Sequence, residues 1–160
     1  MKSDGIIPAA LPDCAQARFA IVCARFYADL ADMLLDGARR ALRECSVKND
    51  NVYVVDVPGC FEIPLACRNL IAADRCDAIV ALGVVVRGET PHFDYVAGEC
   101  ARGIMDVQLA TGTPIGFGIL TTETLAQARV RAERSGGDKG YAAAIAAAVT
   151  LQELTRLGRM

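Results

Sequence analysis

The chain alternates short, β-branched apolar runs with longer segments whose apolar residues recur at helical spacing, and this alternation leaves few architectures open. "RFAIVCA" (18–24) is almost continuously apolar, as a strand covered on both faces requires. "DLADMLLDGARRALRE" (29–44) sets Leu30, Met33, Leu34, Ala38, Ala41 and Leu42 on one stripe, with Asp29 placed to cap it. "NVYVVDV" (51–57) is a second strand, halted by Pro58-Gly59. Residues 62–73 read as a helix with Pro64 in its first turn. "DAIVALGVVV" (77–86) is a third strand, followed by a helix over 94–110 with Val96, Cys100, Ile104 and Val107 on one stripe. "TPIGFGIL" (113–120) is a fourth strand. A helix over 121–134 has Thr122 as its expected cap, and a last helix over 141–157 follows the "SGGDKG" break.

Strand–helix alternation predicts a parallel sheet with right-handed crossovers and helices on both faces. The expected fold is α/β: a three-layer sandwich on a four-stranded parallel sheet in the flavodoxin-like order 2-1-3-4. Residues 1–17 are expected to form a flexible segment and 18–160 one domain. Such sheets bind ligands outside the carboxyl ends of their strands. The segments to inspect are therefore 25–28, 58–62, 87–94 and 121–123.

Charge balance argues against polyanionic partners: 17 basic residues against 19 acidic ones leave a net charge of -2, with no footprint for nucleic acid or a membrane surface. The longest apolar run, 78–86, is too short to span a bilayer. The amino-terminal stretch has two prolines and no apolar core, so it is not expected to be a signal peptide. Seven cysteines show no C-x-x-C pair, and with one histidine in the chain no metal site is expected. They read as reduced core residues of a cytoplasmic protein. The apolar fraction of 53%, rich in alanine, hints at surface hidden in an oligomer.

Each post-strand segment carries a candidate beside a plain structural alternative. Arg25-Phe26-Tyr27 offers an aromatic platform for a flat heterocycle, unless Phe26 merely covers the core beneath the first helix. In "PGCFEIP", Glu62 and the N–H groups of 60–62 lie at a helix start, where such groups are open to a ligand. In "RGETPHFD", Gly88 permits an unusual turn, and Gly88-Glu89-Thr90 can present successive N–H groups to an oxyanion. His92 offers proton transfer near neutrality, with Asp94 a candidate to orient it. A lone histidine is also commonly structural. Arg131 suits a phosphate but sits where a solvated helix face would serve as well. Neither a P-loop nor G-x-G-x-x-G, G-x-S-x-G or H-E-x-x-H occurs. Of the three lysines only Lys139, in the glycine-rich break, is placed for carbonyl chemistry.

Together "ARFYADLADMLLDGARRAL", "VPGCFEIP", "ALGVVVRGETPHFDYV", "GFGILTTETLAQARVRA" and "DKG" resemble the lumazine synthase family of riboflavin biosynthesis, in the family's order over about 18–157. The resemblance implies condensation of 5-amino-6-(D-ribitylamino)uracil with 3,4-dihydroxy-2-butanone 4-phosphate, with no cofactor. By position it implies that Phe26 stacks on the pyrimidine and that Cys60, Phe61 and Glu62 hold the ribityl chain and ring edge. It implies main-chain contacts from Val84, Val85 and Val86, and Lys139 close to the pyrimidine. Gly88, Glu89, Thr90 and Arg131 would bind phosphate, and His92 would move protons. Phe117 is expected to reach the site from a neighbouring subunit. The implied assembly is a homo-oligomer, a pentamer or multiple of pentamers up to an icosahedral cage, with riboflavin synthase a further expected partner. Two positions depart from the family: Cys60 where alanine is usual, and Asp138 where asparagine is commoner. A non-catalytic flavin or lumazine binder, or a cage-forming paralogue, is the alternative.

Overall fold

A computed structural model describes residues 7–158. Residues 1–6 of the expected flexible segment lie outside the described residues. By Cys14 the chain is anchored: its N–H donates to the Cys45 carbonyl at 2.8 Å and its side chain is buried.

The elements are β1 (Phe19–Ala24), α1 (Ala28–Glu44), β2 (Val52–Val57), α2 (Ile63–Ala72), β3 (Ala78–Val86), α3 (His92–Thr111), β4 (Ile115–Thr122), α4 (Leu125–Ala132) and α5 (Lys139–Arg156), with short 3-10 turns at Asn49–Asn51 and Cys60–Glu62. All strand pairings are parallel, as the alternation predicts, and the order β2-β1-β3-β4 is the one expected of a flavodoxin-like sheet. Successive side chains of a strand point to opposite faces. Phe19, Ile21 and Cys23 therefore enter one core with α1, α4 and α5, while Ala20, Val22 and Ala24 enter a second with α2 and α3. Both faces are covered, which explains runs with no polar alternation.

The alanines of α5 have an intrachain reason. Ala143, Ala144, Ala147 and Ala148 are buried, and Gly116 and Gly118 of β4 lie against Ala143. A methyl at Gly116 would overlap the Ala143 carbonyl, and one at Gly140 the Leu34 carbonyl of α1. Small residues let α5 approach both sheet and α1 closely. These alanines therefore have a packing role within the chain.

Several expected helix starts shift; α3, expected from 94, begins at His92. Tyr27, not Asp29, occupies the α1 cap position, and no side chain caps it; Asp29 lies in the first turn and accepts from Arg129 of α4. Thr122 does not cap α4, because β4 runs through it and its hydroxyl donates to the Thr124 carbonyl at 2.9 Å. Thr124 is the cap, accepting from the Gln127 N–H at 3.2 Å. Gln127 in turn accepts from the Glu123 N–H at 2.9 Å, a variant of the reciprocal box that a T-x-x-Q spacing signals. Lys139 is the first residue of α5, not part of the preceding break.

Candidate functional site

Parallel strands bring four turns to one edge of the sheet. They are 25–27 after β1, 58–62 after β2, 87–91 after β3 and 123–124 after β4.

The strands end unevenly there. The β1–β3 ladder stops at Cys23↔Leu82, whereas the β3–β4 ladder continues to Val86↔Thr122. Val84, Val85 and Val86 consequently have a strand beside them on one side only. Their side chains are buried or half-buried, but the edge facing β1 offers main-chain groups to whatever lies above the end of β1. Nothing in the valine run signals this overhang, which depends on where β1 turns into α1.

Phe26, at the top of β1, is 75% exposed and meets Tyr27 edge-on at 5.0 Å between centroids. It does not cover the core, so its aromatic face is open. Phe61 is likewise exposed, while Cys60 is buried. The Glu62 N–H turns back to the Gly59 carbonyl at 3.4 Å, which removes it from the expected set of open amides. Cys60 packs against Gly83, where an added methyl would collide with its sulfur. Its thiol is pushed up by contact with the Cys100 sulfur and by burial. Protonated and enclosed, Cys60 is no nucleophile, and its place in a site rests on its main chain.

Residues 87–92 are all exposed. Gly88 does not adopt a left-handed φ, so it is not demanded by its turn; the space a side chain would take there is open. His92 is the first residue of α3, and its N–H donates to the Thr90 hydroxyl at 3.4 Å. The amides of 88–90 and the amino terminus of a 20-residue helix meet here, an arrangement that favours an anion. Asp94 does not serve His92 in the expected way: its carboxylate accepts from Arg87 at 3.2 Å.

Arg87 is the residue that sequence reading left without a task. Besides Asp94 it binds Glu123, at 3.0 and 3.1 Å, and lies over the Phe93 ring. Glu123 is far along the sequence and is brought close only because β3 and β4 pair.

Two candidates stand apart from this loop within one chain. Phe117 is mid-strand, paired with Ala81, and 48% exposed on the face of Ile115 and Ile119. Arg131 lies near the far end of α4 and donates to its own helix at the Gln127 carbonyl, 3.0 Å away. Lys139 is half-buried. It stands toward the carboxyl edge, because α5 descends from Ala143, beside Gly118, to Ala147, beside Gly116. Asp138 does not leave its charge on Lys139 alone, since Arg40 holds its carboxylate at 2.8 Å.

The fold is that of a flavodoxin-like α/β protein, and an exposed aromatic, open main chain, exposed loop amides and the one histidine make its carboxyl edge the candidate small-molecule site. The profile of the 6,7-dimethyl-8-ribityllumazine synthase family matches residues 16–155. A 6,7-dimethyl-8-ribityllumazine synthase of Edwardsiella ictaluri (strain 93-146) is 50% identical over 133 residues, covering 82% of this chain and 85% of that one. The chain belongs to the 6,7-dimethyl-8-ribityllumazine synthase family, and so to the transferases of riboflavin biosynthesis.

Proposed function

We infer that the carboxyl edge of the sheet is where this chain carries out the family's reaction. That reaction condenses 5-amino-6-(D-ribitylamino)uracil with 3,4-dihydroxy-2-butanone 4-phosphate to 6,7-dimethyl-8-ribityllumazine, with release of phosphate and water. The observation that carries the assignment is the convergence of exposed Phe26, the β3 overhang and the His92 loop on one edge.

Each part has a physical task. The uracil ring stacks on Phe26, and its polar edge meets the main chain of the Val84–Val86 overhang where a continued β1 would lie. Cys60, Phe61 and Glu62 hold the ribityl chain. The amides of Gly88, Glu89 and Thr90, with the helix terminus behind them, cradle the phosphate. Holding the amine against the ketone supplies much of the acceleration. His92 moves protons as the Schiff base forms and phosphate departs.

Phe117 and Arg131, remote from this loop in their own chain, complete the site of an adjacent subunit, and Lys139 approaches the pyrimidine. The assembly is a homo-oligomer of at least five copies. Tyr95, Met105 and Leu109 support it, since they leave an apolar stripe exposed along α3. The reduced, buried state of the seven cysteines supports a cytoplasmic location, where riboflavin synthase is the natural recipient of the product.

The test is incubation with both substrates, following lumazine fluorescence and phosphate release together. Product is expected. Binding of the uracil without either signal would establish the non-catalytic alternative. Light scattering should give at least five times the 17.0 kDa chain mass, and a monomer would refute the shared site.

A further inference from the structure

Arg87 leaves β3 where the chain turns toward His92. Its N–H donates to the Thr122 carbonyl at 2.9 Å, closing the β3–β4 ladder. Its Nε donates to both Glu123 carboxylate oxygens, at 3.1 and 3.0 Å, and its Nη1 to Asp94 Oδ1 at 3.2 Å. The guanidinium lies 4.2 Å from the centroid of Phe93. One planar group thereby joins the end of β3, the first turn of α3 and the turn entering α4. A guanidinium suits this, with donors in a rigid fork and a flat face that stacks on a ring.

Two carboxylates flank the one cation, so Arg87 has no surplus charge to offer a phosphate. Its contacts instead bracket the reactive segment. Residues 88–91 are exposed, and the long bond from the His92 N–H to Thr90 is one of few ties on them. Arg87 and Asp94 stand at the two ends of that segment and hold each other.

We propose that Arg87 is a positioning residue: by clamping Asp94 and Glu123 and covering Phe93, it sets where His92 and the 88–90 amides stand relative to the reacting carbonyl. This rests on the assignment of His92 and the 88–90 loop made above. Arg87 touches neither substrate. It acts because a misplacement of about 1 Å at reacting groups can cost about 100-fold in rate. Its ion pairs are solvent-exposed, with Asp94 and Glu123 side chains 63% and 61% accessible, so they add little to folding stability. That contrast separates positioning from scaffolding.

The experiment compares Arg87→Ala, Arg87→Lys, Glu123→Gln and the Arg87→Ala/Glu123→Gln pair, by steady-state kinetics with each substrate varied and by urea unfolding. Arg87→Ala should lower kcat about tenfold and raise KM for the butanone phosphate, leaving KM for the uracil and the urea midpoint unchanged. Glu123→Gln should lose less, and the pair should be no worse than Arg87→Ala alone, because both remove one clamp. Lysine, with no fork, should restore only part of the rate.

A kcat within about twofold of the wild type in Arg87→Ala overturns the proposal, as do losses that multiply in the pair. So does a rise in both KM values together with a lowered urea midpoint. If Arg87→Ala does not fold, Arg87→Lys and Glu123→Gln decide by the same split. Wild type and His92→Ala run alongside. An inactive wild type refutes the reaction itself, and a fully active His92→Ala refutes the site; either differs from an active wild type with an indifferent Arg87.

Discussion

Arg40 donates from one nitrogen to both carboxylate oxygens of Asp138, at 2.8 and 2.9 Å, fastening α1 to the start of α5. The two side chains are only 14% and 22% exposed. Asp138 adopts φ 43°, a left-handed conformation that Asp and Asn tolerate better than other side chains. Its carboxylate approaches α1 at Gly37, where a methyl would stand 2.7 Å from Oδ1. An aspartate in place of the family's commoner asparagine thus finds its charge met by Arg40.

Breaking that pair leaves a poorly solvated charge behind. Arg40→Ala should reduce stability by about 1.5–3 kcal/mol, the range for hydrogen bonds to charged groups. Asp138→Asn should cost less, because it keeps an acceptor and tolerates the backbone. Urea unfolding of the three proteins checks the order, and equal stabilities would contradict it.

Gly140 and Gly88 make a contrasting pair. Gly140→Ala drives a methyl into the Leu34 carbonyl and should destabilise by about 1–3 kcal/mol. Gly88→Ala meets open space and should leave the urea midpoint unchanged. If phosphate sits on the 88–90 amides, the same methyl should raise KM for the butanone phosphate.

Phe26→Ala removes a side chain that contributes little to the core. The fold should be unaffected, while KM for the uracil substrate should rise about tenfold, the lower part of the range for base–aromatic stacking. An unchanged KM would remove Phe26 from the site.

His92→Ala should slow turnover about 100-fold while both substrates still bind, as expected for a lost proton-transfer group. Single-turnover rates and substrate affinities measured side by side separate the two effects. Turnover within about twofold of the wild type would end that role.

Stability should fall at alkaline pH. Burial pushes the Cys67 thiol up to about 12 and those of Cys45 and Cys76 up to about 11, from a usual 9.0. Raised values mean the folded chain keeps protons that the unfolded chain releases. The contribution is complete below pH 9 and is lost as pH rises toward 11 to 12. In reductant, the urea midpoint should decline between pH 9 and 11, more steeply than in a variant with Cys67 replaced by alanine.

The strands and the two covered faces were legible because each strand carries its own apolar run, and periodicity is local; the order 2-1-3-4 came from the flavodoxin-like class and not from the runs. The carboxyl-edge rule then selected Phe26, Glu62 and His92 with no coordinates. What stayed hidden depends on distant pairing. Thr122 reads as the cap of α4; the ladder with β3 draws it into the strand and leaves Thr124 to cap. Asp94 invites pairing with its near neighbour His92, and Arg87 takes it instead because Glu123 and Phe93 fix the guanidinium there. Gly88 suggests a special turn, yet its backbone is ordinary and only the room above it is unusual.

The three valines of β3 that outrun β1 have a consequence for how this sequence can drift. A ring recognised by main-chain groups is indifferent to which side chains those residues carry. On the binding mode proposed above, positions 84–86 can exchange among small apolar residues, constrained by the cores beneath and not by the ligand. Specificity written in the backbone is inherited with the fold, and it is lost only by a change that moves the strand ends.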